Sequence, residues 1–185
     1  MEKKTMSQTY KIADQDAAHY MTFQVIDWVD TFSRKIYRDI LIDSMKFCQR
    51  KMGLEIYAYV IMTNHVHVIW RAGNGNLSEV VREFKKFTGR TIIETIRNEP
   101  ESRRDWMLKR FEFAARRNVR NSFHQFWTHE NHPVELFSNK FIKQKLNYIH
   151  MNPVRAGWVE RPEEYLYSSA GCYAGLGGLI EVAFV

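Results

Sequence analysis

Two histidines, His65 and His67, are the residues of this sequence that most directly suggest chemistry. They stand two positions apart in His65-Val66-His67-Val68, and this alternation of polar and apolar residues is typical of a β-strand. Because successive strand side chains point to opposite faces, both imidazoles are predicted to project from one face of a sheet. Two neighbouring imidazoles form half of a site for a divalent metal ion. The alternative is that both histidines line a solvated face of the sheet.

A second group of chemically useful residues lies near the end of the sequence. Tyr148 and Asn152 are four positions apart, so in a helix they share nearly the same face, with Lys145 one turn earlier. A phenol, whose ordinary pKa is about 10, is a poor nucleophile at neutral pH. It can attack a phosphodiester when Mg²⁺ or Mn²⁺ polarises the phosphate, and the Asn152 amide oxygen is a candidate third metal ligand. Taken singly, Tyr148 is better explained as an aromatic residue at the core edge, and Asn152 as a helix terminator before Pro153.

The order of the predicted elements indicates how these residues are positioned. Strands are predicted around 20–25 and over 54–62, 65–71 and 123–128, and helices over 34–52, 77–97 and 139–151. Gly53 is predicted to end the first helix and Asn152-Pro153 the last. The order strand, helix, strand, strand, helix, strand predicts an α+β fold, namely a ferredoxin-like antiparallel sheet with two helices on one face. The last helix, which carries Tyr148, is an extra C-terminal element.

The composition indicates one globular domain, because the 185 residues are 45% hydrophobic and 14% aromatic. We expect a flexible N-terminus over 1–18, a basic insertion over 98–120 and a C-terminal tail over 158–185. No apolar run approaches the roughly 18 residues of a membrane span, and we expect neither a signal peptide nor a membrane partner. Cys48 and Cys172 lack the spacing of a disulfide framework or zinc site, so we predict a cytoplasmic protein.

The formal net charge of +6 favours a polyanionic partner, with nucleic acid ahead of an anionic membrane. The candidate DNA-binding residues are basic side chains on the second helix, near the end of the 98–120 segment and beside Tyr148: Arg82, Lys86, Arg90, Arg116, Arg117 and Lys145. The 98–120 segment is either a partly helical insertion or a mobile loop. Its charges and aromatic residues are equally explained by a solvated face and by a phosphate-binding surface.

The other histidines are predicted to lie outside the chemistry. A metal could bind the cluster near the fourth predicted strand, but surface or loop positions explain its members better: His124, His129 and His132. His150 is two positions from Tyr148 and therefore points to a different side of the helix. Trp70, Trp127 and Trp158 are predicted to lie in the core rather than to stack on bases.

Two motifs give the sequence a resemblance to a known family. His65-Val66-His67 is similar to the His–hydrophobic–His motif of the HUH single-tyrosine transposases. The segment 148–157, Tyr-Ile-His-Met-Asn-Pro-Val-Arg-Ala-Gly, resembles the signature of the REP-associated branch of that family. Phe126-Trp127 and the segment 164–169 resemble that branch as well, so the resemblance covers about residues 19–173.

The resemblance implies a ferredoxin-like core and a metal-dependent transposase that cuts and rejoins single-stranded DNA with a hairpin end. By position, His65 and His67 would hold Mg²⁺ or Mn²⁺, and Asn152 would be the third metal-assisting side chain. Tyr148 would be the nucleophile, leaving a covalent 5′-phosphotyrosine and a free 3′-OH. Rejoining would be the same chemistry in reverse, without ATP. The choice between a monomer and a homodimer stays open.

Two other functions remain as alternatives. The chain could be a non-cleaving hairpin DNA- or RNA-binding protein derived from a transposase. Its basic charge and aromatic residues fit such a binding protein as well as they fit an enzyme. A pure binding protein has no need of His65, His67, Tyr148 and Asn152 together, however. A weaker alternative is a metal-dependent nuclease that uses water and leaves no protein–DNA linkage.

Overall fold

A computed structural model describes residues 12–117 and 123–184 of the chain. Its strands and helices are β1 (His19–Gln24), α1 (Lys35–Met52), β2 (Leu54–Ile61), β3 (His65–Ala72), α2 (Leu77–Asn98), α3 (Arg104–Arg116), β4 (Val134–Glu135), α4 (Asn139–Arg155) and α5 (Ala170–Tyr173). In these described parts, no helix combines the length and apolar character needed to cross a bilayer.

The four strands form one antiparallel sheet in the order β2-β3-β1-β4. On one face, α1 and α2 pack against buried strand residues such as Phe23 and Trp70. On the other face, Ile149 of α4 packs against Tyr20 and Ile69. The structure therefore confirms the α+β class, the ferredoxin-like sheet with two helices on one face, and the extra helix that carries the tyrosine.

The position predicted for the fourth strand is wrong. The sequence suggested 123–128, whereas the regular fourth strand is the two-residue β4. Within the earlier segment, Trp127 makes an isolated antiparallel bridge to Val25, just beyond the end of β1. The segment is extended and runs beside β1, but it does not form a ladder.

The register of this segment explains the difference. Thr128 N donates to Gln24 O at 2.9 Å, and Thr22 N donates to Asn131 O at 2.9 Å. Between these two hydrogen bonds the segment advances by three residues, whereas β1 advances by two. Such a mismatch interrupts the regular hydrogen-bond ladder between paired strands. Lys85 of α2 also holds the segment, because its Nζ donates to Thr128 O at 2.7 Å. Burial lowers the pKa of this lysine to about 7.

The end of α4 also differs from the prediction. The helix was expected to stop at Met151, but it continues through Pro153 to Arg155. Proline lacks an N–H and usually ends or kinks a helix, yet here it removes one hydrogen bond within the last turn. Gly157 then adopts a left-handed φ of 74° just beyond the helix. The extra turn places Arg155 about two turns after Tyr148, on the same side of the helix.

The predicted basic insertion is largely helical. Met107, Phe111 and Ala115 of α3 are buried, which excludes a mobile loop for this part, while 118–120 lie outside the described residues. The predicted flexible N-terminus also lies mostly outside them. Within its described part, Gln15 Nε2 donates to Ser78 Oγ at 2.9 Å.

The C-terminal tail covers the outer edge of β2. Ser169 N donates to Tyr59 O at 3.0 Å, and Tyr59 N donates to Ser169 Oγ at 3.0 Å. Further along, Ala183 N donates to Ile56 O at 2.9 Å. The tail therefore binds backbone groups that an edge strand would otherwise present to solvent.

Two of the three tryptophans expected in the core are buried there. Trp70 and Trp127 are buried, but Trp158 is 42% exposed and packs beside Tyr165, so its predicted burial is wrong. His150 has the expected structural contacts, since its Nε2 lies 2.9 Å from Ser169 Oγ in the tail.

Candidate active site

Strand β3 brings the rings of His65 and His67 together. Their centroids are 4.7 Å apart, on the sheet face that α4 covers. Val66 and Val68 point into the opposite core, beneath α1 and α2. The alternation of the strand therefore has the geometric result that the sequence predicted: two imidazoles side by side at one point of the sheet.

Hydrogen bonds fix the orientation of the first ring. His65 Nδ1 lies 2.8 Å from Asn64 Oδ1, which can only accept, so this nitrogen carries the proton. The Asn64 amide is itself oriented, because its Nδ2 donates to Asp30 Oδ1 at 2.8 Å. Nε2 of His65 is therefore the nitrogen with a lone pair for a metal ion.

The second ring is held in the same way by β1. His67 Nδ1 lies 2.8 Å from the Tyr20 hydroxyl and 2.9 Å from Thr22 Oγ1. Since its Nδ1 is occupied, Nε2 is again the nitrogen that could bind a metal. Histidine ligands of metals are usually fixed through their other ring nitrogen in this manner.

Burial keeps both rings neutral. Desolvation, with smaller contributions from His65 and Lys145, lowers the pKa of His67 to about 3. Burial likewise lowers the pKa of His65 below its ordinary value. At pH 7 both imidazoles are therefore neutral, with one protonated nitrogen and one lone pair that a metal ion could use.

Helix α4 places Tyr148 against this pair within the same chain. The Tyr148 ring centroid is 5.3 Å from that of His67 and 6.2 Å from that of Tyr20. Two cations flank these rings: the Arg155 guanidinium lies 5.4 Å from the Tyr148 centroid, and Lys145 Nζ lies 4.4 Å from the Tyr20 centroid. Two positively charged side chains therefore lie against the aromatic rings next to His67.

The two tyrosines beside His67 differ in accessibility. Tyr20 is only 7% exposed, and its burial raises the pKa of its hydroxyl to about 12. Tyr148 is 39% exposed. The Tyr148 ring is therefore accessible from solvent, whereas the Tyr20 hydroxyl is engaged with the His67 imidazole.

Asn152 lies one turn beyond Tyr148, as predicted from their spacing. Its Nδ2 donates to the Tyr148 carbonyl oxygen at 2.8 Å, so its Oδ1 is the atom that a metal could use. Among the residues described, no group of three or more His, Cys, Asp or Glu could hold a metal ion. The candidate donors are therefore two imidazoles and one amide oxygen. Mg²⁺ or Mn²⁺ would suit such a set when substrate and water oxygens complete the coordination.

Three of the predicted DNA-binding residues lie away from this site. Arg82, Lys86 and Arg90 line a groove of about 1020 Å³ between α2 and residues of the 123–133 segment. This helix packs on the sheet face opposite α4. Each of the three basic side chains is also paired with a carboxylate of α2, at 3.0, 3.8 and 3.0 Å for Glu79, Glu83 and Glu94. The groove is therefore less positive than its basic residues alone suggest.

The two arginines predicted near the end of the basic segment are also separate from the histidine pair. Arg116 pairs with Glu112 at 2.8 Å on α3. The Arg117 guanidinium lies 4.6 Å from the ring centroid of Phe113, an exposed aromatic residue. Of the six basic candidates, Lys145 is the one that the fold brings to the histidines.

Sequence reasoning missed three residues of the site. Tyr20 and Thr22 are two apart in β1, and this spacing could have indicated a shared face, but not which strand they would oppose. Arg155 is seven residues after Tyr148, a spacing of about two helical turns. Arg155 lies beside Tyr148 because the helix continues through Pro153, which the sequence did not predict.

We expect Tyr20→Phe to weaken Mn²⁺ binding about 10-fold, within the roughly 10- to 100-fold range typical of lost partners of metal-bound histidines. The change removes the hydroxyl that lies 2.8 Å from His67 Nδ1 and keeps the ring. Thr22 remains as a partner, so adding Thr22→Val is expected to increase the loss. Isothermal titration with Mn²⁺ measures both effects.

Tyr57→Phe is the matched control, because it removes a hydroxyl that donates to Glu55 on the neighbouring strand β2. Equal Mn²⁺ affinity in the Tyr20→Phe, Thr22→Val double variant and in the control would contradict a role of these two hydroxyls in metal binding by His67.

A ferredoxin-like sheet whose paired strand histidines face a helix-borne tyrosine defines the HUH single-tyrosine class of transposases. The family described as "Transposase IS200 like" matches residues 29–150, which is most of the chain. The chain belongs to this family, and its members are DNA-processing enzymes.

Two individual proteins are similar to this chain, one in sequence and one in fold. The REP-associated tyrosine transposase of Escherichia coli (strain K12) is 26% identical over 124 residues, which are 65% of this chain and 57% of that protein. The chain thus matches little more than half the length of this relative. A solved structure of a REP-associated tyrosine transposase bound to a REP hairpin superposes with a TM-score of 0.62. It is 18% identical and covers 99% of this chain and 92% of its own, which shows a shared fold.

Proposed function

We propose that this protein cuts and rejoins single-stranded DNA at hairpin-flanked sites through a covalent 5′-phosphotyrosine on Tyr148. The observation that carries the proposal is the contact of the Tyr148 ring with His67, 5.3 Å between centroids, in one chain. In both histidines Nδ1 is engaged in a hydrogen bond, which leaves Nε2 as the nitrogen that could bind an ion. The proposed nucleophile and the proposed metal-binding pair therefore lie side by side within a single chain.

The chemistry follows from the phenol and its neighbours. The Tyr148 oxygen attacks the phosphorus of a phosphodiester, and the bond from phosphorus to the 3′ oxygen breaks. The phenol gives up its proton to water, and the departing 3′ oxygen gains one. Mg²⁺ or Mn²⁺ held by His65, His67 and Asn152 would polarise the phosphate and stabilise the charge of the transition state. Because a phosphodiester replaces a phosphodiester, the reverse reaction with a 3′-OH rejoins DNA without ATP.

Lys145 and Arg155 bring positive charge to the aromatic rings of the proposed site. Both cations lie on aromatic rings of the site, Lys145 on Tyr20 and Arg155 on Tyr148. Cations in such positions can bind phosphate oxygens of the strand on either side of the scissile bond. We infer that these two residues hold the substrate backbone while the phenol attacks.

Hairpin DNA is the partner that the comparisons support best, since the solved structural neighbour is bound to a REP hairpin. We infer that Arg82, Lys86 and Arg90 in the α2 groove, with Arg116 and Arg117, contribute weaker backbone contacts to a hairpin stem. A reaction on cellular DNA places the protein in the cytoplasm, an assignment that the free thiols of Cys48 and Cys172 also suit.

Strands labelled at either end test the proposal. With Mn²⁺ or Mg²⁺, a hairpin strand labelled at its 3′ end is expected to become covalently attached to the protein, because Tyr148 retains the 5′ phosphate. The same strand labelled at its 5′ end is expected to yield a shorter, protein-free fragment. Chelation by EDTA is expected to stop both reactions, and a denaturing gel separates the products.

The alternatives give different results in this experiment. A hydrolytic nuclease would produce two fragments and no protein-linked label. A non-cleaving binding protein would shift the hairpin on a native gel and leave every strand intact in both metals.

A further inference from the structure

An unusual turn after β1 carries Trp28 to the edge of the candidate active site. Asp27 and Trp28 have φ values of 51° and 55°. Residues other than glycine rarely adopt this left-handed region, and two in succession are strained. Neither position is a glycine, so the surrounding structure must maintain the turn.

Contacts on both sides hold the turn in place. Val25 and Val29, which flank it, are 0% and 2% exposed. Asn64 Nδ2 lies 3.3 Å from Trp28 O, and the same nitrogen donates to Asp30 Oδ1. Because Asn64 also accepts from His65 Nδ1, one amide ties the turn to the predicted metal ligand.

The result of this arrangement is an exposed indole. Trp28 is 59% exposed, although tryptophan is normally one of the more buried residues on average. Its ring centroid lies 6.1 Å from that of His65, with the planes at 78°. The turn therefore displays a large flat side chain to solvent directly beside one of the two imidazoles.

We propose that Trp28 is a stacking platform for a nucleobase of single-stranded DNA adjacent to the phosphate that Tyr148 attacks. The inference rests on the proposed function, because that function places a phosphate between His65 and Tyr148. Unpaired bases stack on exposed aromatic side chains largely irrespective of sequence, since every base has a π-face. The strained turn keeps the indole in place before DNA arrives, so binding orders few protein groups.

The platform also explains how a strand without a base-paired partner is positioned. Lys145 and Arg155 can bind the backbone but allow it to slide from one phosphate to the next. A stacked base fixes the strand in register, so that a single phosphodiester faces the phenol. Trp28 would thus act on the choice of the bond that is cut as well as on affinity.

A binding cycle between protein and DNA tests the platform. Hairpin strands with one abasic site at each single-stranded position are titrated against the Tyr148→Phe protein, which binds without cutting. In that background Trp28→Ala is expected to weaken binding of the intact strand about tenfold, as for the loss of one stacked base. At one position of the strand, the abasic site is expected to lower the affinity by the same factor of about ten when Trp28 is present. In the Trp28→Ala protein, the same abasic site is expected to lower the affinity hardly any further.

Two further variants make the result specific. Trp28→Phe keeps an aromatic face and is expected to recover part of the affinity. Phe47→Ala is the control, since Phe47 is 51% exposed and lies on α1, which packs on the other face of the sheet. We expect the Phe47→Ala variant to bind every strand with the same affinity as the protein that retains both Phe47 and Trp28.

The outcomes separate this inference from the proposed function. The platform would be overturned if every abasic site lowered the affinity equally with and without Trp28, or if Trp28→Ala left the affinity unchanged. Either result would count against it even if the Tyr148 adduct forms. Coupling at one position would support the platform even if no adduct forms, in which case the proposed function is wrong. If the protein that retains Trp28 bound no hairpin strand, both the platform and the proposed function would be overturned.

Discussion

Tyr148→Phe is expected to abolish the covalent protein–DNA adduct and to leave the affinity for a hairpin strand within about twofold of the original. The substitution removes the only atom of the side chain that can attack phosphorus. It retains the ring, and with it the contacts to His67, Tyr20 and Arg155 at 5.3, 6.2 and 5.4 Å. The adduct is measured on denaturing gels with 3′-labelled DNA, and affinity by fluorescence anisotropy.

Peptide mapping makes the same prediction sharper. Trypsin is expected to release the nucleotide-bearing tyrosine in the peptide spanning 146–155, whereas a linkage at Tyr20 would appear in the peptide spanning 12–34. Tyr57→Phe is a suitable control because its hydroxyl bonds Glu55. A full yield of adduct from Tyr148→Phe would show that this tyrosine is not the nucleophile, and the modified peptide would then identify the residue that is.

The second large effect is expected at the histidine pair. His65→Ala should lower metal-stimulated adduct formation by at least about a thousandfold, because a metal acting as a Lewis acid contributes several kcal/mol to the transition state. His65 is the cleaner position, since its partner Asn64 stays anchored to Asp30 at 2.8 Å. Removing His67 would instead leave Tyr20 and Thr22 without the ring they hold, so His67→Asn is the gentler substitution there.

Two measurements accompany the cleavage assay. Titration with Mn²⁺ should show weakened metal binding in His65→Ala, and an excess of Mn²⁺ should restore part of the activity. His124→Ala is the control, because His124 lies beside Arg97 of α2 at 3.3 Å, on the other side of the molecule. Cleavage that proceeds equally well in His65→Ala, His67→Asn and the control would remove the metal-binding role from both histidines.

Local sequence rules accounted for much of the fold and for the central part of the site. Apolar spacing located α1 and α2 because each buries a continuous stripe against the sheet. Gly53 ended α1 as predicted, with a φ of 66° that favours glycine. Strand alternation put His65 and His67 on one face, since that property needs no knowledge of any other strand.

The predictions that were wrong or incomplete concern contacts between residues that are distant in sequence. The fourth strand was misplaced because residues 123–128 have the composition of a strand, while their pairing is decided by a register mismatch against β1. The partners of His67, Tyr20 and Thr22, precede it by 47 and 45 residues, and only the β1–β3 register brings them opposite. The pairing of Arg82 with Glu79, in contrast, is local: the two residues are three apart on α2, a spacing from which the ion pair could have been predicted.

The path of the C-terminal tail bears on how copies of this protein can associate. Exposed sheet edges are the usual route by which two chains join their sheets, since their backbone donors and acceptors seek partners. Ser169 and Ala183 already occupy such groups of Tyr59 and Ile56, so an incoming strand would have to peel the tail away first. The opposite edge offers β4, a strand of only two residues. Self-association by extension of the sheet is therefore disfavoured at both edges.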